Sequence, residues 1–178
     1  MRKIARLERQ AVNRLLRPLR LKSSAGASRE TVKLTIAWIG KTKNPAIQSL
    51  TDDYLKRLRQ YADAEGLSLK DEASLSKLCG RAHGSPRRWL VALDSRGKQM
   101  SSEELAVYLR HHQERNPLPL VFAIGGADGF TDSLRTQADL LLSLGKMTLA
   151  HELARVVLLE QVYRAFTIVK GHPYHLGH

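Results

Sequence analysis

Two continuous apolar runs, Trp89-Leu90-Val91-Ala92-Leu93 and Leu120-Val121-Phe122-Ala123-Ile124, do most to limit the folds open to this chain. Each ends in a turn, at Asp94 and at Gly125-Gly126. An alternating strand has one wet face, whereas a strand apolar throughout is buried on both, as in parallel sheets covered by helices. The intervening segments agree. Val32 to Ile39 reads as a strand ending at Gly40. Pro45 opens a helix with Ile47, Leu50, Tyr54, Leu58 and Tyr61 as its apolar stripe. Leu67 to Leu69 is a short strand, residues 80–88 are a basic, turn-rich loop, and Trp89 to Asp94 is a buried strand. Ser101-Ser102-Glu103-Glu104 is a capping box that starts a helix running to about Arg115. Thr131 caps a helix to about Leu142, Met147 to Leu149 is a short strand, and Glu152 to Phe166 is a long helix. This alternation predicts an α/β fold, a mostly parallel sheet with helices on both faces. Ligands in such sheets bind beyond the carboxyl ends of the strands, where Asp94, Gly125 and Gly145 fall.

Charge points to the partner. The 178 residues carry 29 basic and 17 acidic side chains, a net charge of +12. Such an excess suits a polyanion, nucleic acid being the usual one, although solubility alone is the plainer reading. The excess is concentrated in residues 1–30, where nine basic groups face two acids, +7 against +5 for the other 148 residues. Residues 1–31 are therefore expected to be a basic, disordered or loosely helical extension, dispensable for chemistry, with the folded domain at 32–178. A nucleic-acid arm, a surface tail, a transit peptide and an over-long start all remain open for it. No apolar run approaches the length of a membrane span. The single cysteine, Cys79, allows no internal disulfide and fits a cytoplasmic setting.

Few residue patterns carry chemistry by themselves. Gly125-Gly126-Ala127-Asp128-Gly129 stands between a strand and a helix, but it is neither G-x-G-x-x-G nor a P-loop. It is a ligand loop or a tight turn, with Asp128 anchoring a ligand amine or stabilising the turn. Asp94 binds a ribose hydroxyl or serves the turn before Ser95-Arg96-Gly97, in which case Leu93 offers only backbone groups. No metal site is expected: His111 and His112 are adjacent, and His172 and His175 lack companions at ligand spacing. The C-terminal run is more pointed. Arg164 lies on the long helix, and Pro173 gives the following tail a fixed course towards Tyr174 and His175. His175 can act as a general base, Tyr174 can orient or stack on a base, and Arg164 can bind phosphate. The bland alternative is a tail docked for packing.

Several motifs occur together, in one order: Leu93-Asp94-x-x-Gly97, Ile124-Gly125-Gly126-x-x-Gly129, Thr148-Leu149-x-His151-x-Leu153-x-Arg155, Glu160-Gln161-x-Tyr163-Arg164-Ala165 and His172-Pro173-Tyr174-His175. In this the chain resembles the RlmH family, bacterial methyltransferases of pseudouridine N3 in large-subunit ribosomal RNA. The similarity runs from about Val32 to His175 and is loosest from Thr42 to Arg88. It implies a SPOUT fold with a C-terminal trefoil knot, a homodimer, and S-adenosylmethionine as methyl donor without a metal. The implied cofactor contacts are Leu93, Gly125, Gly126, Gly145, Lys146, Met147, Thr148, Leu149 and Ala150, with backbone groups reading the adenine. The implied substrate is the intact ribosome at helix 69 of 23S ribosomal RNA. Tyr174 and His175 would handle the N3 proton, and Arg164 would hold RNA or stabilise developing charge. One departure stands out: Leu176 occupies the place where the family has a basic residue after the Tyr-His pair. His178, or the loop around Arg87 and Arg88, would have to supply that cation. Action on another RNA position, and a ribosome-binding factor without turnover, are the alternative functions.

Overall fold

Every strand of the sheet runs in the same direction. Lys33–Ile39 (β1), Asp63–Leu69 (β2), Trp89–Gln99 (β3), Leu120–Ile124 (β4) and Leu140–Ser143 (β5) pair in the order β2-β1-β4-β3-β5, and each pairing is parallel. The computed structural model describes residues 32–81, 84–172 and 174; the expectations for residues 1–31, His175, Leu176 and His178 lie outside these. The helices are Pro45–Leu58 (α1), Glu72–Leu78 (α2), Ser102–Arg115 (α3), Asp132–Gln137 (α4) and His151–Val169 (α5). Among the described residues no helix is long and apolar enough to cross a membrane.

β4 is buried at all five positions, as its apolar run requires. Leu120, Phe122 and Ile124 join Leu34, Ile36 and Trp38 of β1 on one face, against Leu55 and Leu58 of α1, Leu109 of α3, and Leu158 and Phe166 of α5. Val121 and Ala123 point the other way, with Ala37, Leu90 and Ala92, and meet Leu75 of α2 and Leu134 of α4. Helices therefore cover both faces, three on one and two short ones on the other. The capping box at Ser101 forms in full, its hydroxyl accepting from the Glu104 N–H while the Glu104 carboxylate accepts from the Ser101 N–H.

The structure corrects several boundaries. β2 spans seven residues where only Leu67 to Leu69 was expected, because this edge strand buries just Ala64 and is otherwise polar or small. A Cβ on its Gly66 would lie 2.6 Å from Leu55 Cδ1 and 3.2 Å from Trp38 Cζ3, so a larger residue would make those side chains shift. α2 was not foreseen; Asp71 caps it by accepting from the Ser74 N–H at 2.8 Å. On α1 the buried positions are Ile47, Thr51, Leu55 and Leu58, whereas Leu50 is exposed and Tyr61 follows the helix end. α5 begins at His151 and reaches Val169, extending beyond the expected helix at both ends. β3 does not stop at Asp94. It continues to Gln99, with a register break between Leu93 and Lys98 that lets residues 94–97 detour around β5.

The largest correction is at the segment expected to be helical to Leu142. α4 ends at Gln137, and Leu140–Ser143 is a strand, while Met147 to Leu149 is not one. Leucines favour helix intrinsically, but that weak preference yields to tertiary pairing. Here the Asp139 N–H donates to Leu90 O at 2.8 Å and the Leu90 N–H donates to Asp139 Oδ2 at 2.8 Å, which fastens the chain to β3 just before the leucines. Gly97 sits where a Cβ would come within 2.6 Å of the Leu141 carbonyl carbon, so the β3 detour and β5 lie backbone against backbone.

Candidate active site

The carboxyl ends of β4 and β5 and the start of the β3 detour open into one cavity of about 520 Å³. Leu93 comes to it from the start of the β3 detour, Gly125 and Gly126 from the end of β4, Gly145 and Met147 to Ala150 from the loop after β5, and His151 and Ala154 from the first turn of α5. All the cofactor positions expected from sequence line it except Lys146. The glycines divide by cause. A Cβ on Gly125 would fall 2.7 Å from the Gly129 carbonyl carbon, so this position is closed by the turn itself, in which the Gly129 N–H donates to Gly126 O. A Cβ on Gly126 would meet only Ile39 Cγ2, at 4.0 Å. Gly126 thus leaves open wall, and Gly145, at φ +142, turns the chain into the loop.

That loop offers main-chain chemistry. The amides of Lys146, Met147, Thr148 and Leu149 make no hydrogen bond to other described residues. These residues are exposed, so their N–H groups are open to a ligand that brings its own acceptors. Asp94 also lines the cavity but does not present a free carboxylate for a ribose. It accepts from Arg135 Nε at 2.5 Å, from the Arg96 N–H at 2.9 Å and from Arg96 Nε at 3.3 Å. Burial opposes its ionisation, but the bond from Arg135, with those from Arg96, outweighs this and holds the carboxyl below the usual aspartate range. Asp128, in contrast, stands exposed on the wall with no bond to other described residues.

The tail residues form a separate cluster. The Tyr174 ring meets Tyr163 edge-on at 4.8 Å, and the Arg164 guanidinium lies 5.2 Å from its centroid. Tyr163 is also touched by Tyr54 of α1 and by Tyr61, with Arg57 over both Tyr54 and Tyr163. Arg164 pairs with Glu160 at 2.7 Å, and that bond raises its already high pKa. Glu160 thus balances part of its charge, while the Arg164 side chain stays 18% exposed. Neither Arg164 nor Tyr174 lines the cavity. Along α5, His151 and Arg164 are thirteen residues apart, roughly 20 Å at the helical rise.

The basic loop is largely paired with acids of its own chain. It precedes β3, at the amino ends of the strands and away from the cavity. Arg81 pairs with Asp139 at 2.7 Å, Arg87 with the same carboxylate at 2.5 Å, and Arg88 lies 3.9 Å from Glu65. Of the two central histidines, His112 is buried and its Nε2 is 2.9 Å from Leu118 O, while His111 is exposed. Arg155 received no role from sequence. It is 1% exposed, and its guanidinium stacks 4.2 Å from the Trp38 ring centroid. The available signal was an arginine set within the apolar run of α5.

A parallel α/β domain with a ligand cavity at the strand ends, walled by glycines and a main-chain loop, matches a known class of methyltransferases. The family model described as "Predicted SPOUT methyltransferase" matches residues 32–175. A ribosomal RNA large subunit methyltransferase H from Koribacter versatilis is 54% identical over 147 residues, 83% of this chain and 100% of that protein. One from Geobacter sulfurreducens is 40% identical over 152 residues, 81% of this chain and 99% of that protein. A solved structure of a probable methylase family protein from Haemophilus influenzae has a TM-score of 0.51 at 12% identity, over 80% of this chain and 70% of that one, and shows the shared fold. The chain belongs to the SPOUT methyltransferases and, within them, to the RlmH family.

Proposed function

We propose that the protein methylates N3 of a pseudouridine in helix 69 of large-subunit ribosomal RNA on the ribosome, in the cytoplasm, with S-adenosylmethionine as donor. The observation that carries this is the 54% identity to a relative named ribosomal RNA large subunit methyltransferase H over that protein's whole length. The cavity supports the cofactor. Its volume of about 520 Å³ falls in the range of small-molecule sites, its loop has unused amides for a purine edge, and Gly126 leaves room beside the wall. When bound, S-adenosylmethionine supplies a methyl group on a cationic sulfur.

The residues of the chain do the rest. Leu93, Gly125, Gly126 and the segment 145–150 hold the donor and fix its direction. The N3 proton must leave before that nitrogen becomes a good nucleophile. The His175 imidazole receives it, or Tyr174 Oη takes it in relay while handing on its own hydroxyl proton, and Arg164 steadies the negative charge that develops or the RNA beside it. Because Tyr174 sits on Tyr163, away from the cavity, the tail of one protomer completes the cavity of its partner in a homodimer. The chain carries a surface suited to this: Leu153 and Val157, one turn apart on α5, and Leu50 on the neighbouring α1 are exposed, Leu153 by 51%. Exposed apolar patches of this kind mark association sites. The family's C-terminal trefoil knot is part of this reading and rests on the family match. Residues 1–31, before the family match begins, are an appendage dispensable for catalysis.

Incubation with radiolabelled S-adenosylmethionine and ribosomes lacking the modification, followed by digestion and mass spectrometry, tests the reading. Labelled N3-methylpseudouridine is expected; label on a different nucleoside would move the activity to another RNA position. Two variants add detail. Gly126→Val should weaken cofactor binding by about tenfold or more while leaving the melting temperature nearly unchanged, since its Cβ meets open space. Unaltered affinity would place the cofactor elsewhere. Leu153→Asp should shift the protein from dimer to monomer in analytical ultracentrifugation, and an intact dimer would remove this face from the interface.

A further inference from the structure

Arg155 is the one arginine of the described residues that is both buried to 1% exposure and without an ion pair. Only Nη1 is used, donating to Thr42 Oγ1 at 2.9 Å. Nε and Nη2 are buried with no acceptor among the described residues, and so is Nε1 of Trp38, the ring on which the guanidinium stacks. Unpaired buried donors are rare and call for a physical explanation. A buried cation that lacks a paired anion is costlier still.

The pattern of what is unused is specific. Nε–H and one Nη2–H point the same way along one edge of the guanidinium, the edge that receives the two oxygens of a planar carboxylate. The nearby acids do not fill it. Glu152 Oε1 accepts from the Lys43 N–H at 2.8 Å, and Asp52 is bonded to Gln48. The place also matters. Trp38 pairs in register with Ile124, which lines the cavity, and Ala154, next to Arg155, lines it too. Thr42, bonded to Nη1, belongs to a short connection, residues 41–43, that runs between Gly40, at φ +95, and Asn44, the cap of α1, and is held by the Thr42 and Lys43 bonds already given.

We infer that the free edge of Arg155, with Trp38 Nε1 beside it, is a carboxylate subsite adjoining the cavity, which takes the methionyl carboxylate of the cofactor when residues 41–43 move aside. This rests on the cofactor reading above. Recognition then has two parts: the main-chain loop takes the adenosine, and Arg155 takes the amino-acid end.

Calorimetric titration of the full chain with S-adenosylhomocysteine and with methylthioadenosine separates these parts, since methylthioadenosine keeps the nucleoside and sulfur but has no amino acid. The wild-type chain should bind S-adenosylhomocysteine about 10- to 100-fold more tightly, the range of a charged hydrogen-bonded pair. Arg155→Met should abolish that preference and leave methylthioadenosine affinity unchanged. Arg155→Lys, which keeps the charge without the two-pronged edge, should lose most of the preference and carries the test where the Met variant does not fold. Equal weakening of both ligands, or of neither, would overturn the subsite and leave Arg155 a packing residue. An Arg155-dependent site for inorganic phosphate, with no preference between the two ligands, would assign the edge to an RNA phosphate and overturn it as well. Binding of neither ligand by the wild-type chain would instead defeat the cofactor reading and the inference with it.

Discussion

Methyl transfer to ribosomes is expected to fall by about 10²-fold or more in Tyr174→Phe and in His175→Ala, with cofactor affinity unchanged in the Tyr174 variant. The separation follows from the geometry. Tyr174 is held by ring contacts to Tyr163 and Arg164 and does not line the cavity. Phenylalanine keeps the ring, so the edge-on contact survives and only the hydroxyl is lost. A fall in rate without a fall in binding therefore reports proton handling rather than tail displacement. The measurement is single-turnover methylation with saturating cofactor, beside a calorimetric binding constant for the same preparation. Rates within a factor of two or so of wild type in both variants would remove the tail from the mechanism, and Arg164 would lose its proposed role with it.

Asp139→Ala should destabilise the fold by about 3 kcal/mol or more, the scale for removing one member of a buried pair. This carboxylate joins three parts of the chain: it accepts from the Leu90 N–H at 2.8 Å and from Arg81 at 2.7 Å, and it pairs with Arg87. Arg81 and Asp139 are 12% and 10% exposed as side chains, so both the cation and the amide would be stranded. For a domain of this size the loss corresponds to a drop of roughly 10 °C in melting temperature. Arg87 is half exposed, and its pair is of the kind worth about 1 kcal/mol or less. Arg87→Ala is accordingly the control, with a small effect. If the two variants melted alike, Asp139 would not be the fastening between β3 and β5 described above.

Some of this was readable from sequence because local and tertiary preferences agreed. β4 is apolar at every position and buried at every position, and the Ser101 capping box closes through bonds that span only three residues. The glycines and the loop after β5 were placed at the cofactor site by family resemblance, and the cavity gathers them apart from Lys146. What was missed depends on partners distant in the chain. β5 is built of leucines that favour helix and becomes a strand because β3 pairs with it. β2 hides its identity behind polar residues that an edge position tolerates. Arg155 acquires meaning only beside Trp38, and Tyr163 only beneath Tyr54, Tyr61 and Tyr174. Nothing in the spacing of these residues announces such contacts. The loop at Arg87 and Arg88 is another case: its composition shows the charge, but not that Asp139 and Glu65 lie beside it.

α5 sets the cavity against one of its ends and the tail cluster near the other, on a single rigid rod. Damage to the two places is therefore damage to different functions carried by the same chain. Two inactive proteins, one altered at Gly126 and the other at Tyr174, would each retain what the other lacks. If the proposed homodimer forms, co-expression would assemble some mixed pairs in which one undamaged cavity faces one undamaged tail, and activity would return where neither parent had any. The gene would then show complementation between two of its own null alleles.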